Sequence, residues 1–274
     1  MSWTTIARRE YATTGDSRAI RWLLALLAGA CVLSGYLYPI LGSEPYTTKA
    51  FAGFGFLTGS IDYLLPLIGV FLGYGAVVTE RTSGQLTLLL SLPYSRRDLV
   101  VGKLVGRSLA FATTLVAALA VAGALVVYPF GSLSPGWYLA FVALTVLYGV
   151  IFVGIATAIS MLTRSKHLAT AGAFGAYGLF VLVWRTVRAA LVFGLETVGL
   201  IDGALPDPAL FLFGLNPVTL YDRLVTGFFV DGGAGPYAES SAWYLSEWLA
   251  LPLFLAWAVV PVALGYLRFR TTDL

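Results

Sequence analysis

Arg185 and Arg188 are the charged residues whose position most suggests a function, because they interrupt an apolar stretch that could otherwise cross a membrane. Charges at membrane depth are costly and often mark binding sites or ion pathways. Since the two arginines are three positions apart, a helix would place them on one face, where they could receive an anionic lipid headgroup or substrate. The interpretation that we favour is that both side chains extend to the outer interface near Trp184 or pair with Glu196.

Residues suited to catalysis or metal binding are few in this sequence. Hydrolysis inside a membrane would need a zinc motif, a serine with a histidine, or paired aspartates. The only histidine, His167, lies in a short turn beside Lys166, and Asp62 has no partner aspartate within an apolar stretch. We therefore interpret Asp62 as an exposed residue at the boundary of a membrane span. With one histidine, one cysteine and two methionines, the sequence predicts neither a catalytic residue nor a metal site.

The sequence also predicts no nucleotide hydrolysis by this chain. A phosphate-binding loop of the G-x-x-x-x-G-K-[ST] type surrounds phosphates with backbone amides and a lysine. The nearest match is Gly102-Lys103, but Leu104 follows it and the upstream glycine is missing. We expect this chain to bind no cofactor, and any ATP and magnesium to be held by another polypeptide.

The composition places the chain in a membrane. Of its 274 residues, 58% are hydrophobic and only 11% are charged, and the mean hydropathy is +0.84. Soluble domains average about 45–50% apolar and about 25% charged residues. The net charge of +3 does not indicate nucleic-acid binding, because most basic residues lie at the ends of apolar stretches, where they determine membrane topology.

Six stretches have the length of about 20 apolar residues that a transmembrane helix requires. We therefore predict an all-α membrane protein with six transmembrane helices in a single domain, residues 1–274. The fifth stretch has no clear outer boundary, because its two arginines interrupt it. The predicted spans are Trp22–Leu41, Ile61–Val78, Ser108–Phe130, Trp137–Leu162, Leu168–Phe193 and Trp248–Leu267.

The distribution of basic residues predicts the orientation. Most of the 17 lysines and arginines precede the first span, lie between spans two and three or four and five, or follow the sixth. Cytoplasmic loops retain such residues during insertion, so both termini are predicted to be cytoplasmic in a multi-pass protein of the plasma membrane. Segments 1–21 and 80–107 are then cytoplasmic, and segment 194–246 is extracytoplasmic.

Two of these segments have the composition of interfacial structure. Residues 1–21 mix apolar and basic positions in a way that favours a short helix on the inner headgroups over a basic tail. In segment 194–246, an apolar stretch is interrupted by Asn216, Pro217, Asp222 and Arg223. We interpret this stretch as a helix in the outer leaflet, with Asp222 and Arg223 facing water.

The segment from Glu80 to Ser108 predicts a helix, a sharp turn and a second helix. Gly84 permits a turn, the apolar residues 85–92 are too few to cross a membrane, Pro93 ends them, and Ser95 can cap the next helix. The second helix begins with Arg96, Arg97 and Asp98. Leucines in this position need cover from the interface or from a protein partner.

This segment resembles the cytoplasmic loop of ABC-2 type permeases. Members of that family follow a glutamate after span two with Ser-Gly, a leucine-rich stretch, a proline, Ser-Arg and Gly-Lys. The matching residues are Glu80, Ser83-Gly84, Leu86 to Leu92, Pro93, Ser95-Arg96 and Gly102-Lys103. The Ile6–Glu10 start, the six spans and the large outer segment are also similar to the family, above all to its branch with the nitrous-oxide-reductase maturation permease.

The resemblance implies an ABC transporter permease subunit that pairs with a second permease subunit, identical or different, and with two copies of a cytoplasmic ATPase. The segment between spans two and three would then be a coupling helix docked in a groove of the ATPase. The residues that the resemblance assigns to coupling are Glu80, Arg81, Gly84, Leu89, Leu92, Pro93, Ser95, Arg96 and Arg97.

Two other functions are compatible with the same sequence. The chain could be a membrane scaffold or mechanotransmitter that moves no cargo and acts on an extracytoplasmic partner through segment 194–246. An ion-driven carrier is the third choice, since carriers of that kind normally carry more charge within their spans.

Overall fold

The computed structural model describes residues 3–86, 95–128, 131–202, 205–232, 235–237 and 239–271. Within these ranges the regular structure is helical, and six single or joined helices are long and apolar enough to cross a membrane. This confirms the predicted all-α protein with six spans. The spans are Arg18–Leu41, Gly55–Thr82, Arg96–Val127, Pro135–Leu162, Lys166–Thr197 and Glu247–Arg270.

The spans are built from the following helices. Span one is α2 (Arg18–Leu41), and span two joins α4 (Gly55–Gly73) to α5 (Val78–Thr82). Span three is α6 (Arg96–Val127) and span four is α7 (Pro135–Leu162). Span five joins α8 (Lys166–Tyr177), a π-helix (Gly178–Val183) and α9 (Trp184–Thr197), and span six is α12 (Glu247–Arg270).

Shorter helices lie before and between the spans. These are α1 (Trp3–Thr14), α3 (Thr48–Phe51), α10 (Asp207–Phe213), α11 (Pro217–Phe229) and a 3₁₀-helix (Trp243–Leu245). The helix predicted within residues 1–21 is therefore present as α1. The apolar stretch of segment 194–246 is also helical, but α11 packs into the protein core with Leu220, Tyr221 and Leu224 fully buried.

The helices extend past the apolar stretches that predicted them. Span three begins at Arg96 rather than Ser108, because Ser95 and Asp98 form a capping box before the apolar part is reached. The Asp98 backbone amide donates to Ser95 Oγ over 3.0 Å, and the Ser95 amide donates to Asp98 Oδ2 over 3.2 Å. Polar caps and first turns thus add residues that an apolar count leaves out.

Close packing of α4 on α7 forms the centre of the bundle. A Cβ atom at Gly69 would lie 2.7 Å from the Phe152 Cβ, and one at Gly73 would lie 2.6 Å from the Val153 carbonyl oxygen. These glycines let the two helices approach more closely than larger residues would permit. Tyr148 of α7 stacks on Tyr221 of α11 with ring centroids 4.3 Å apart, which fixes α11 to the same core.

Consecutive spans run in opposite directions, which gives the bundle two distinct ends. Both ends of the described chain, together with the points where the chain leaves α5 and enters α6, lie at one end, which we call the basic end. The connections between α2 and α4, α6 and α7, and α9 and α12 lie at the other, called the far end. There the Thr48 amide donates to the Ser132 carbonyl over 3.2 Å and joins two of these connections.

Candidate functional site

At the basic end, four charged residues from three helices form one ion-pair cluster: Glu10, Glu80, Lys103 and Arg107. Lys103 Nζ lies 3.0 Å from Glu10 Oε1 and 2.7 Å from Glu80 Oε1. Arg107 Nε donates to Glu10 Oε2 over 2.7 Å, and Arg107 also bonds the Leu72 carbonyl. We call this group the basic-end cluster, and it ties α1 and α5 to α6.

The basic-end cluster balances two positive charges against two negative ones in a largely buried position. Lys103 is only 2% exposed, so its charge depends on the two carboxylates for compensation. Burial by itself raises the pKa of Glu10, but the nearby Arg107 and Lys103 lower it more, and the pKa lies below its ordinary value of 4.5. The Glu10 carboxylate is therefore held in its charged form.

Two arginines at the same end hold the last turn of span six. Arg81 donates to the Thr163 carbonyl over 2.8 Å, and Arg96 donates to the Phe269 carbonyl over 2.6 Å. Both guanidinium carbons lie 5.4 Å from the centroid of the Phe269 ring, within the range of cation–π attraction. Helices α5, α6 and α12 and the end of α7 thus meet at one aromatic ring.

The residues predicted for coupling fall into two structural groups. Glu80, Arg81 and Arg96 point into the bundle and make the contacts just described. Gly84, Ser95 and Arg97 are exposed on either side of the connection between spans two and three. Gly84 adopts a positive φ of 74°, which confirms the predicted turn. The role of all these residues in coupling stays a prediction.

Leu86, the one leucine of residues 85–92 that the structure describes, differs from what the sequence suggested. Leu86 finds its cover inside the chain, where it is 2% exposed and belongs to a cluster with Leu99 and Phe269. Leu86 is therefore covered neither by the interface nor by a partner protein, contrary to the prediction. The predicted coupling residues Leu89, Leu92 and Pro93 lie outside the described residues.

Toward the far end, Arg185 joins two aspartates from separate elements. Its Nη2 atom lies 3.0 Å from Asp62 Oδ2 and 2.9 Å from Asp222 Oδ2. We call these three residues the far-end triad. Asp62 is only 4% exposed, so the prediction of an exposed boundary residue was wrong. The physical reason is that the helix begins at Gly55, which places Asp62 about two turns inside it.

The far-end triad also shows that Arg185 and Arg188 have different contacts, whereas the sequence suggested that both could pair with Glu196. Arg185 binds Asp62 and Asp222 rather than Glu196, while the Arg188 guanidinium carbon lies 5.8 Å from the Tyr237 ring centroid. A role of either arginine in binding substrate or lipid stays a prediction.

Arg223 was predicted to face water, and this was wrong. It is 6% exposed, and its Nη2 donates to the carbonyls of Leu245 and Ser246 over 2.7 and 3.2 Å. These carbonyls lie just before α12, and Arg223 reaches them because α11 packs into the core. The Asp222 side chain is 37% exposed and held by Arg185.

An irregular stretch of span five lies next to the triad. The π-helix from Gly178 to Val183 leaves backbone groups without their usual helical partners, a feature often found at functional sites. Asn216 Nδ2 donates to the Phe180 carbonyl over 3.0 Å, and Trp184 Nε1 donates to the Phe213 carbonyl over 3.0 Å. These bonds connect span five to the turn between α10 and α11.

Comparison with known proteins identifies the family. Residues 6–274 match the family model described as ABC-2 family transporter protein. The chain belongs to the ABC-2 transporter family. It is 34% identical over 279 residues to a protein named probable ABC transporter permease protein NosY from Pseudomonas aeruginosa, with 97% of each chain covered. A protein of the same name from Stutzerimonas stutzeri is 31% identical over 276 residues, covering 93% of this chain and 96% of the relative.

The resemblance seen in the sequence is thereby confirmed, and the chain is a multi-pass ABC transporter permease. Within this ABC-2 permease, sequence reasoning missed the basic-end cluster, because Lys103 was considered as part of a loop motif and a family motif, and Arg107 as a topology signal, but neither as a partner of Glu10 or Glu80. One signal could have indicated it. The two residues are four positions apart on a helix and so share a face, and two basic residues on one face of a buried helix require acidic partners.

Proposed function

We propose that this ABC-2 permease couples ATP hydrolysis, carried out by two copies of a separate cytoplasmic ATPase, to movement across the membrane. In this proposal the chain has no ATPase site of its own, and ATP and magnesium bind to the partner. The basic end faces the cytoplasm, in agreement with the concentration of basic residues there. The family match and the printed names of the two relatives support an ABC transporter.

One structural observation carries this proposal. The exposed residues beside the connection between spans two and three are followed or preceded in sequence by residues that form hydrogen bonds or ion pairs with other helices. Ser95 caps α6, and the next residue, Arg96, bonds the end of α12. On the other side of the connection, Glu80 and Arg81 reach α6 and the end of α7. A push on this surface would therefore act on four elements together, as rigid-body rocking of helices requires.

A second permease subunit is part of the proposal. In the most apolar 18-residue stretch of span five only 6% of the residues are buried, and α9 has no buried residue. Its exposed apolar side chains include Leu191 and Phe193. Such a surface needs lipid or another membrane protein, and an identical or related permease would cover it while bringing two ATPases together.

The test is purification in a mild detergent, followed by identification of the proteins that co-purify. We expect a nucleotide-hydrolysing protein to be recovered with the permease. Because Arg97 is exposed next to the connection, Arg97→Glu should reduce the recovered ATPase by about tenfold. Lys49→Glu makes the same charge reversal at the far end and should leave the recovery unchanged. Absence of any such protein with the unaltered chain would overturn the proposal.

The mechanotransmitter remains the second candidate, and the far end provides an observation in its favour. Segment 194–246 contributes α10 and α11, whose packing against the bundle could transmit motion to an external partner. Exposed apolar side chains at this end, such as Leu200, Leu212 and Trp243, give such a partner a surface. Polar substitutions of these three residues should release an outer partner from a mechanotransmitter, whereas a transporter should keep its cargo flux.

A further inference from the structure

A cleft of about 410 Å³ lies at the far end between α9, α11 and the chain that follows α11. Arg188, Arg223 and Tyr237 line one part of it, and Asp222 and Glu247 also contribute to its wall. The cleft therefore combines charged groups with an aromatic ring, close to the exposed apolar surface of α9.

Arg223 is a buried cation whose hydrogen bonding is incomplete. Its Nη2 donates to two backbone carbonyls, but Nε and Nη1 have no hydrogen-bond acceptor within the described parts of the chain. A buried donor without an acceptor costs free energy, and the cost is larger when the group is charged. An anion in the cleft, which Arg223 lines, would compensate this charge.

Arg188 brings a second positive charge to the same place. The guanidinium carbons of Arg188 and Arg223 lie 5.8 and 4.7 Å from the centroid of the Tyr237 ring, whose hydroxyl donates to the Leu210 carbonyl over 3.1 Å. No carboxylate among the described residues forms an ion pair with either arginine. Two like charges are thus held beside one fixed ring.

The acidic residues near the cleft form no ion pair with Arg188 or Arg223 among the described residues. Asp222 is bound to Arg185, which Asp62 also engages. Glu247 packs its side chain against Gly227 and forms no ion pair with a described residue. Glu247 attracts Arg223 through its nearby negative charge but does not bond it, so the Nε and Nη1 donors of Arg223 remain available for a ligand.

We propose that Arg188 and Arg223 form a binding site for a phosphate group. Guanidinium groups bind phosphate through paired hydrogen bonds, and a tetrahedral phosphate has enough oxygens to accept from two arginines at once. Its source is either a phospholipid headgroup, whose acyl chains would lie along Val187 and Leu191 of α9, or a soluble phosphate ester. The Val187 and Leu191 side chains are 44% and 39% exposed. This site would exist whether or not ATP drives the protein.

The experiment is calorimetric titration of the purified full-length chain in a detergent without phosphate. The probes are glycerol phosphate, a short-chain phosphatidylglycerol, and a diacylglycerol of the same chain length as the neutral control. Binding of both phosphate compounds supports the site and identifies soluble esters as ligands. Binding of phosphatidylglycerol alone supports it with a lipid as the source.

Variants decide whether the binding belongs to this cleft. Arg188→Gln removes a partly exposed charge and should weaken phosphate binding by about tenfold, while Lys49→Gln at the same end should not. Glu247→Gln should strengthen binding, because it removes a negative charge from the wall. Arg223→Lys keeps a cation but loses the guanidinium donors, and should also weaken binding. The proposal is overturned if the diacylglycerol binds as well as phosphatidylglycerol, if Arg188→Gln binds normally, or if neither phosphate compound binds.

Discussion

Charged residues that form ion pairs between helices are the most informative single residues of this permease. Lys103 reaches two carboxylates, and Arg185 likewise reaches two. Each group joins helices distant in sequence: Glu10 and Lys103 are 93 positions apart, and Asp62 and Arg185 are 123 positions apart. No periodicity connects such positions, so the sequence could identify Arg185 as unusual but could not identify its partners.

Removing the central cation of the basic-end cluster should be strongly destabilising. Lys103→Met leaves Glu10 and Glu80 close together in a buried site, where an uncompensated charge typically costs about 3–5 kcal/mol. We expect a lower midpoint in thermal unfolding of the detergent-solubilised protein. Lys166→Met removes an exposed lysine at the same end and should leave the midpoint nearly unchanged. Equal midpoints for the two variants would show that the cluster contributes nothing to stability.

The same cluster predicts a pH dependence. The pKa of Glu10 is lower in the folded protein than its ordinary value of 4.5, so its contribution to stability is complete above about that pH. The contribution is lost as the pH falls through the lower folded-state pKa. The protection of α1 amides against hydrogen exchange, measured relative to the intrinsic exchange rate at each pH, should therefore fall at acidic pH. Glu10→Gln should lower this protection at neutral pH and remove most of its dependence on acid, and an unchanged acid response would contradict the assignment.

The far-end triad predicts a coupling between two substitutions. Arg185→Gln leaves Asp62 buried without its cation, whereas Asp62→Asn combined with Arg185→Gln removes both charges. The double variant should therefore be more stable than Arg185→Gln alone. Chemical denaturation of the variants in detergent gives the comparison, and strict additivity of the two single effects would show that the pair does not interact.

At the scale of helices, apolar length predicted all six spans, because each stretch has to match the thickness of the bilayer. Their ends were less predictable, since they depend on capping groups. Ser95 was recognised as a cap from its own sequence neighbourhood, but Ser160 caps α5 from a different helix. Its Oγ accepts from the amides of Val77 and Val78 over 3.0 Å each. A cap supplied from span four leaves no trace near α5 in the sequence.

Packing of α1 on α6 depends on small residues at the contact. A Cβ atom at Gly106 would collide with the Ala7 carbonyl oxygen, and one at Gly102 would lie 2.7 Å from the Ile6 Cβ. Gly106→Ala should therefore displace α1 at a cost of about 1–3 kcal/mol. Limited proteolysis within α1 should become faster. Gly29→Ala on α2 meets open space and serves as the control, so equal proteolysis of both variants would contradict this packing.

At the scale of the whole molecule, the two ends of the bundle have different chemistry and are joined by continuous helices. The basic end carries the cluster and the two arginines that hold α12, and the far end carries the triad and the cleft. Span two reaches both, since α4 contains Asp62 and the adjoining α5 contains Glu80. A displacement of the basic end can therefore reach the far end through helices that pack closely along their length.

Transmission between the ends can be measured by spin-label distances in the permease assembled with its ATPase. Leu133 and Leu200 are exposed at the far end, at 57% and 68%, and suit cysteine labelling because Cys31 is buried. ATP trapping should change the distance between the labels. A variant with Gly84→Val and Arg96→Gln should still hydrolyse ATP but show no ATP-dependent change in the distance between the labels. The reason is that it disturbs the turn at Gly84 and the hydrogen bond from Arg96 to α12. A distance that ignores ATP in the unaltered protein, or that still responds in this variant, would contradict the proposed coupling.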